Sequence, residues 1–207
     1  MADPAPGLSR REREAARHRQ EIHSVAESLF SEKGYFQTTM EEVARAAEFA
    51  VGSLYKFFKS KDDLYAAVLV ENANVIEPIV RHALGAAASP RESVERYMRA
   101  RFDIFWSKPA FFRLFYEEAL GSLLGSGTGI TPELSRRYEM FVLDLSRFFE
   151  RAMDDNRFRR MNPVLAAYLL EGHLRGYLTF ISRDVSRPRD LEDEDAAVAL
   201  FLGSMEP

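Results

Sequence analysis

Cysteine is absent from the 207 residues, so neither a disulfide framework nor a thiolate metal site can be built. No apolar run approaches the roughly 20 residues needed to span a bilayer, and no charged-then-apolar leader opens the sequence. A cytoplasmic protein with no membrane partner is therefore expected. The four histidines, His18, His23, His82 and His173, include no i, i+4 pair and no H-E-x-x-H. A phosphate-cradling glycine loop and a nucleophile elbow are also missing. The carboxylate pairs Glu117-Glu118 and Asp154-Asp155 are adjacent in sequence, so on a helix they point in different directions and do not suit two-carboxylate catalysis. Catalytic residues, a metal and a cofactor are all left without support.

What is present is ordinary in bulk and uneven in detail. Hydrophobic residues make up 46% and charged residues 29%, enough apolar material for a real core. The formal net charge is −4, which on its face argues against nucleic acid. Yet residues 10–19, RREREAARHR, hold five arginines against two glutamates, while the stretch from Asp190 to Asp195 is acidic. Phosphate attraction is set near the contact and screened beyond about 10 Å, so a basic arm can serve an acidic protein. The same run also reads as a solvated helix start with Arg/Glu pairs.

Helical periodicity dominates, with no convincing strand alternation. A first helix should run from near Arg11 to Lys33, with Ile22, Val25, Ala26, Leu29 and Phe30 on its inner stripe and Gly34 as a left-handed cap. Thr39-Met40-Glu41-Glu42 spells a capping box and opens a short helix buried through Met40, Val43, Ala44 and Ala47. Glu48-Phe49-Ala50 makes a turn. A second short helix over Val51 to Phe58 follows, with Val51, Leu54, Tyr55 and Phe58 inward. Ser60 to Asp63 then opens a longer helix that Pro78 ends or kinks. Cap and proline pairs at Ser89-Pro90, Thr131-Pro132 and Asn162-Pro163 predict helices at 90–107, 109–120, 131–156, 163–183 and 193–204, with a loop over 121–129. The expected architecture is all-α, about nine helices. Residues 1–60 form an N-terminal arm and three-helix domain, and 61–207 a larger helical bundle.

Two short helices joined by a tight turn and packed on a longer one have helix-turn-helix geometry, whose second helix enters the major groove. Ala50, Gly52, Ser53, Lys56 and Phe57 are the positions left to face outward. Gly52 is costly inside a helix, and its smallness would let the backbone approach DNA. The stretch from Gly34 to Leu69 resembles the DNA-binding domain of the TetR/AcrR family of transcriptional repressors. Gly34-Tyr35, Thr38-Thr39, Val43-Ala44, Gly52-Ser53-Leu54-Tyr55-Lys56-Phe57-Phe58 and Ser60-Lys61-Asp62-Asp63-Leu64 stand in the family's order and spacing. The resemblance covers roughly residues 13–70.

That resemblance implies a homodimer that binds double-stranded operator DNA and answers a small-molecule effector. It implies DNA contacts at Thr38, Thr39, Gly52, Ser53, Tyr55, Lys56, Phe57 and Lys61. In this reading the Thr39 amide and hydroxyl meet a phosphate at a helix N-terminus, the Tyr55 hydroxyl and Lys61 hold further phosphates, and Ser53, Lys56 and Phe57 read bases. Tyr55 as pure packing and Lys61 as a solvated helix start remain the plainer alternatives. The sequence departs from the family at Glu48-Phe49, where Gly-Val is usual.

In the second half, aromatic residues concentrate at Phe102, Phe105, Trp106, Phe111, Phe112, Phe115 and Tyr116. Polar groups interrupt apolar helices at Arg101, His173, Arg175 and Tyr177. A mostly apolar ligand chamber has this composition, and so does a packed core. The candidate effector contacts are Arg101, Phe102, Phe105, Trp106, Tyr116, His173 and Tyr177, for an apolar ligand with a polar end. The last two helices carry surplus apolar surface, and Leu169, Gly172, Gly176, Ala197 and Phe201 are the candidate dimer contacts; closure of the protomer's own core is the competing reading. A helical protein-interaction or ligand-binding module with little DNA affinity is the alternative function.

Overall fold

The computed structural model describes residues 9–85, 88–109, 132–183 and 188–207. Among the described residues there are eight helices and no strand: α1 (Arg10–Gln37), α2 (Met40–Ala46), α3 (Val51–Phe57), α4 (Lys61–Gly85), α5 (Pro90–Ser107), α6 (Pro132–Asp154), α7 (Pro163–Ser182) and α8 (Leu191–Ser204). All but the first residue of the helix expected at 109–120, and the loop at 121–129, lie outside the described residues, with Phe111, Phe112, Phe115 and Tyr116 among them.

Most helix ends follow local chemistry. Ser9 and Glu12 form a reciprocal capping box that starts α1. Ser89 accepts from the Glu92 amide with Pro90 in the first turn of α5, and Asn162 accepts from the Val164 and Leu165 amides ahead of Pro163. Asp190 caps α8 through the Glu192 and Asp193 amides. These groups satisfy amides that have no partner inside the helix.

Two ends differ from expectation. Gly34 has the positive φ of 79° expected of a cap, but its ψ of 167° is extended rather than left-handed helical. The chain therefore kinks there and makes one more helical turn to Gln37. Pro78 does not end α4, which continues to Gly85. Val80 and Ala83 are buried beyond the proline as Leu69, Asn72 and Ala73 are before it. Packing on both sides of Pro78 outweighs one lost backbone hydrogen bond.

The inner stripe of α1 packs across α4, α2 packs on α1 and α3, α4 runs along α5, and α5 meets α7 and α8 while α6 pairs with α7. The first turns of α4 belong to the N-terminal unit: the Tyr65 ring lies 5.0 Å from Phe30 and 4.9 Å from Tyr35. The same helix continues into the larger bundle. The two halves are thus joined by one continuous helix. Phe30, Phe58, Tyr97, Phe102 and Phe149 are among the largest fully buried side chains, each stabilising by about 2–3 kcal/mol.

Candidate nucleic-acid interface

The N-terminus of α2 is closed by a capping box: the Thr39 amide donates to Glu42 Oε2 at 3.1 Å and the Glu42 amide to Thr39 Oγ1 at 3.2 Å. Lys33 donates to Glu42 at 2.9 Å, and this bond, then the Thr39 amide, holds the Glu42 carboxyl below its usual range. At the other end Glu48 takes φ 61°. Its amide donates to the Arg45 carbonyl at 3.2 Å and the Phe49 amide to the Ala44 carbonyl at 2.8 Å, the pair of bonds that defines a Schellman turn. Placing glutamate rather than glycine there costs about 1 kcal/mol. Phe49 offsets it by packing edge-on to His18, ring centres 5.1 Å apart.

α3 follows with Leu54 fully buried and Gly52, Tyr55 and Lys56 exposed; Ser53 and Phe57 are half-buried. The facing of two aromatics is the reverse of the sequence expectation. Tyr55 is 47% exposed, whereas Phe57 turns in against His18 and Phe49. Helical geometry explains this. With Leu54 at the centre of the inner face, Phe57 lies about 60° from it and Tyr55 about 100° away. A Cβ added at Gly52 would meet nothing within 4 Å, so no described neighbour requires glycine there.

Two expected contact residues are committed inside the protein. Thr38 is fully buried, its hydroxyl donating to the Gly34 carbonyl at 2.9 Å. Lys61 Nζ donates to the Tyr35 and Thr38 carbonyls at 2.9 and 3.0 Å and sits 4.2 Å from the Tyr35 ring centre. Both hold the kinked end of α1. The Thr39 amide is likewise spent on Glu42, which leaves only its hydroxyl proton to donate outward. Arg19, whose individual role the sequence did not suggest, donates from Nη1 to the Phe57 carbonyl at 2.8 Å and lies over the Phe58 ring at 4.2 Å.

In the larger bundle the described candidate effector residues are mostly engaged by partners within the protomer. Phe102 and Phe105 are core. Trp106 Nε1 donates to Glu194 at 2.9 Å, and Arg189 holds the same buried carboxylate with two bonds of 2.9 Å. His173 Nε2 donates to the Ala197 carbonyl at 2.8 Å, tying α7 to α8. Tyr177 lies 4.9 Å from the Phe102 ring. Arg101 belongs to a buried polar knot that the sequence reading missed. Tyr97 donates to Glu171, Arg101 donates to the Tyr97 hydroxyl at 3.2 Å, and Arg101 lies 3.6 Å from Glu171, their side chains 12% and 5% exposed. Glu171 interrupts an apolar stretch, Leu169-Leu170-Glu171-Gly172, and that lone carboxylate was the available signal. Burial, then Glu171, pushes the neighbouring Tyr138 phenol up to about 12. An open cleft of about 610 Å³ lies elsewhere, where α1 and α4 meet the start of α6, bordered by Arg19, Asp63, Ala67, Glu71, Asn74 and Glu133.

On α7, Leu170, Leu174, Leu178 and Ile181 point into the protomer. Leu165, Tyr168, Leu169, Gly172, Gly176 and Phe180 are exposed, a stripe at helical spacing. A Cβ at Gly172 or Gly176 would meet nothing within 4 Å. Ala197 and Phe201, expected to face a second chain, are instead buried in the protomer, and Leu191 and Leu200 are the large apolar residues that α8 exposes. No described helix is long and apolar enough to cross a membrane.

Residues 22–68 match the sequence profile of bacterial regulatory proteins, tetR family. The HTH-type transcriptional regulator HbdR of Aromatoleum sp. (strain CIB) is 34% identical over 74 residues, 36% of this chain and 32% of HbdR, so the match spans about a third of that relative. AibR, solved with isovaleryl coenzyme A and operator DNA, superposes with a TM-score of 0.74 at 22% identity, over 88% of this chain and 97% of AibR. The fatty acid degradation regulator FadR from Bacillus halodurans superposes with a TM-score of 0.73 at 17% identity, over 89% and 94% of the two chains. At these identities the superpositions establish the fold.

Proposed function

Because the chain belongs to the tetR family of bacterial regulatory proteins, we propose that it is a cytoplasmic, homodimeric, sequence-specific DNA-binding transcriptional regulator, a repressor released by a small, largely apolar effector. The observation that carries this reading is the outer face of α3. Gly52, Tyr55 and Lys56 face solvent together, and the glycine answers to no packing demand among the described residues. In the groove Lys56 and Ser53 read base edges, Gly52 admits the DNA backbone or a base edge closely, and the Tyr55 and Thr39 hydroxyls hold phosphates. Thr38, Lys61 and Phe57 act behind them by fixing α1 and α3.

Residues 1–60, with the first turns of α4 packed against them, carry DNA contact, and the rest of the chain carries sensing and dimerisation, with α4 transmitting between them. The second chain docks on the stripe of Leu165, Tyr168, Leu169, Gly172, Gly176 and Phe180, where the two glycines let helices approach closely. An acyl thioester is the effector class favoured, supported by AibR's ligand and FadR's role. Selection from a random duplex library tests the reading. Enrichment of pseudo-palindromic sites with half-sites about 10 base pairs apart is expected, followed by release of the selected duplex on titration with acyl coenzyme A esters of graded chain length. Failure to enrich any sequence would overturn it.

A further inference from the structure

The first eight residues of α1, 10–17, are all exposed and project about 12 Å beyond the first residue that packs on the rest of the chain. They are firmly helical all the same. The Ser9 capping box closes the start, and exposed i, i+4 pairs join Arg10 to Glu14 at 3.2 Å and Arg17 to Glu21 at 3.5 Å. The overhang departs from a defined place. Immediately after it, His18 lies 5.1 Å from Phe49 in the turn and Arg19 bonds the Phe57 carbonyl at the end of α3. A rigid rod bearing Arg10, Arg11, Arg13 and Arg17 against two glutamates therefore extends from the carboxyl end of the groove-facing helix. The exposed Lys56 and Lys59 lie at that same end.

We propose that this helical overhang is a second DNA contact, a phosphate clamp that grips the backbone flanking the site occupied by α3. The proposal rests on the DNA-binding reading above and adds a surface to it. The ion pairs along the rod do not compete strongly: exposed i, i+4 pairs are weak and screened by salt, and an arginine meeting a phosphate also releases condensed counterions. Phosphates carry no base identity, so the clamp raises affinity for every sequence alike.

The test compares full-length wild type with the quadruple variant Arg10→Gln, Arg11→Gln, Arg13→Gln, Arg17→Gln and with the matching four-lysine variant. Each is titrated with salt on a duplex selected by the wild type and on a scrambled duplex. The glutamine variant is expected to keep its melting temperature and its preference between duplexes. It should lose tenfold or more in affinity at moderate salt, with a log–log salt slope shallower by about 2 or more, at about 0.9 per lost phosphate contact. The lysine variant should retain the wild-type slope. A folded glutamine variant with an unchanged slope would overturn the clamp alone. A loss confined to the selected duplex would overturn it too, by making the overhang a base reader. A wild type that binds no duplex at all would bring down both the clamp and the DNA-binding reading.

Discussion

Arg19 on α1 closes the end of α3 by donating to the Phe57 carbonyl at 2.8 Å while its guanidinium lies 4.2 Å over the next residue's ring, Phe58. A cation at a helix carboxyl end satisfies groups the helix cannot. Arg19→Ala should lower stability by about 1 kcal/mol, from the lost dipole contact and cation–π contact together. DNA affinity should fall with it, since the groove-facing helix loses its anchor. Urea denaturation beside DNA titration measures both; full affinity in a folded Arg19→Ala protein would contradict this role.

Gly34 combines φ 79° with ψ 167°, a region essentially reserved for glycine. A Cβ there meets nothing within 4 Å, so any cost of Gly34→Ala is backbone strain rather than a clash. A loss of about 1–3 kcal/mol is expected by chemical denaturation.

Tyr138 gives the fold an alkaline limit. Burial, then Glu171, raises its phenol from the ordinary 10.0 to about 12. A pKa raised in the fold means that the folded state holds the proton more tightly than the unfolded chain. The resulting stability is fully present below pH 10.0 and is lost as pH climbs towards 12. Tyr138→Phe should flatten the fall of unfolding free energy across that interval, measured by denaturation at stepped pH.

Gly172→Glu and Gly176→Glu test the second-chain surface. A Cβ at either position meets nothing within 4 Å among the described residues, and leaving glycine in a helix interior favours the helix by about 0.5–1 kcal/mol. Helical content should hold while sedimentation reports a monomer. A dimer that survives both substitutions would place the interface elsewhere.

Much of this was legible because it is local. Thr39 with Glu42, Ser89 with Pro90 and Asn162 with Pro163 spell helix starts within four residues, and a 3.6-residue period reports the buried face. What escaped notice depends on partners far apart in sequence. Lys61 and Thr38 carry the residue types of a phosphate site, but the carbonyls they bond belong to the kinked end of α1. Trp106 and His173 look like chamber linings until Glu194 and the Ala197 carbonyl come beside them. The reversal of Tyr55 and Phe57 was open to helical geometry alone, because Phe57 lies nearer in angle to Leu54. Ser9-x-x-Glu12 was a readable capping box ahead of the basic run. Pro78 was decided by packing on both of its sides, which no local rule contains.

The claim that the outer face of α3 meets DNA is tested most directly by Gly52→Leu. Gly52 is exposed and a Cβ there meets nothing within 4 Å among the described residues, and glycine's intrinsic helix penalty of about 0.8–1 kcal/mol is relieved. The decisive measurement is DNA affinity beside melting temperature for this one variant. The expected result is a melting temperature equal to or above the wild type together with at least a tenfold loss of affinity for the selected duplex. Wild-type affinity in the folded Gly52→Leu protein would contradict it.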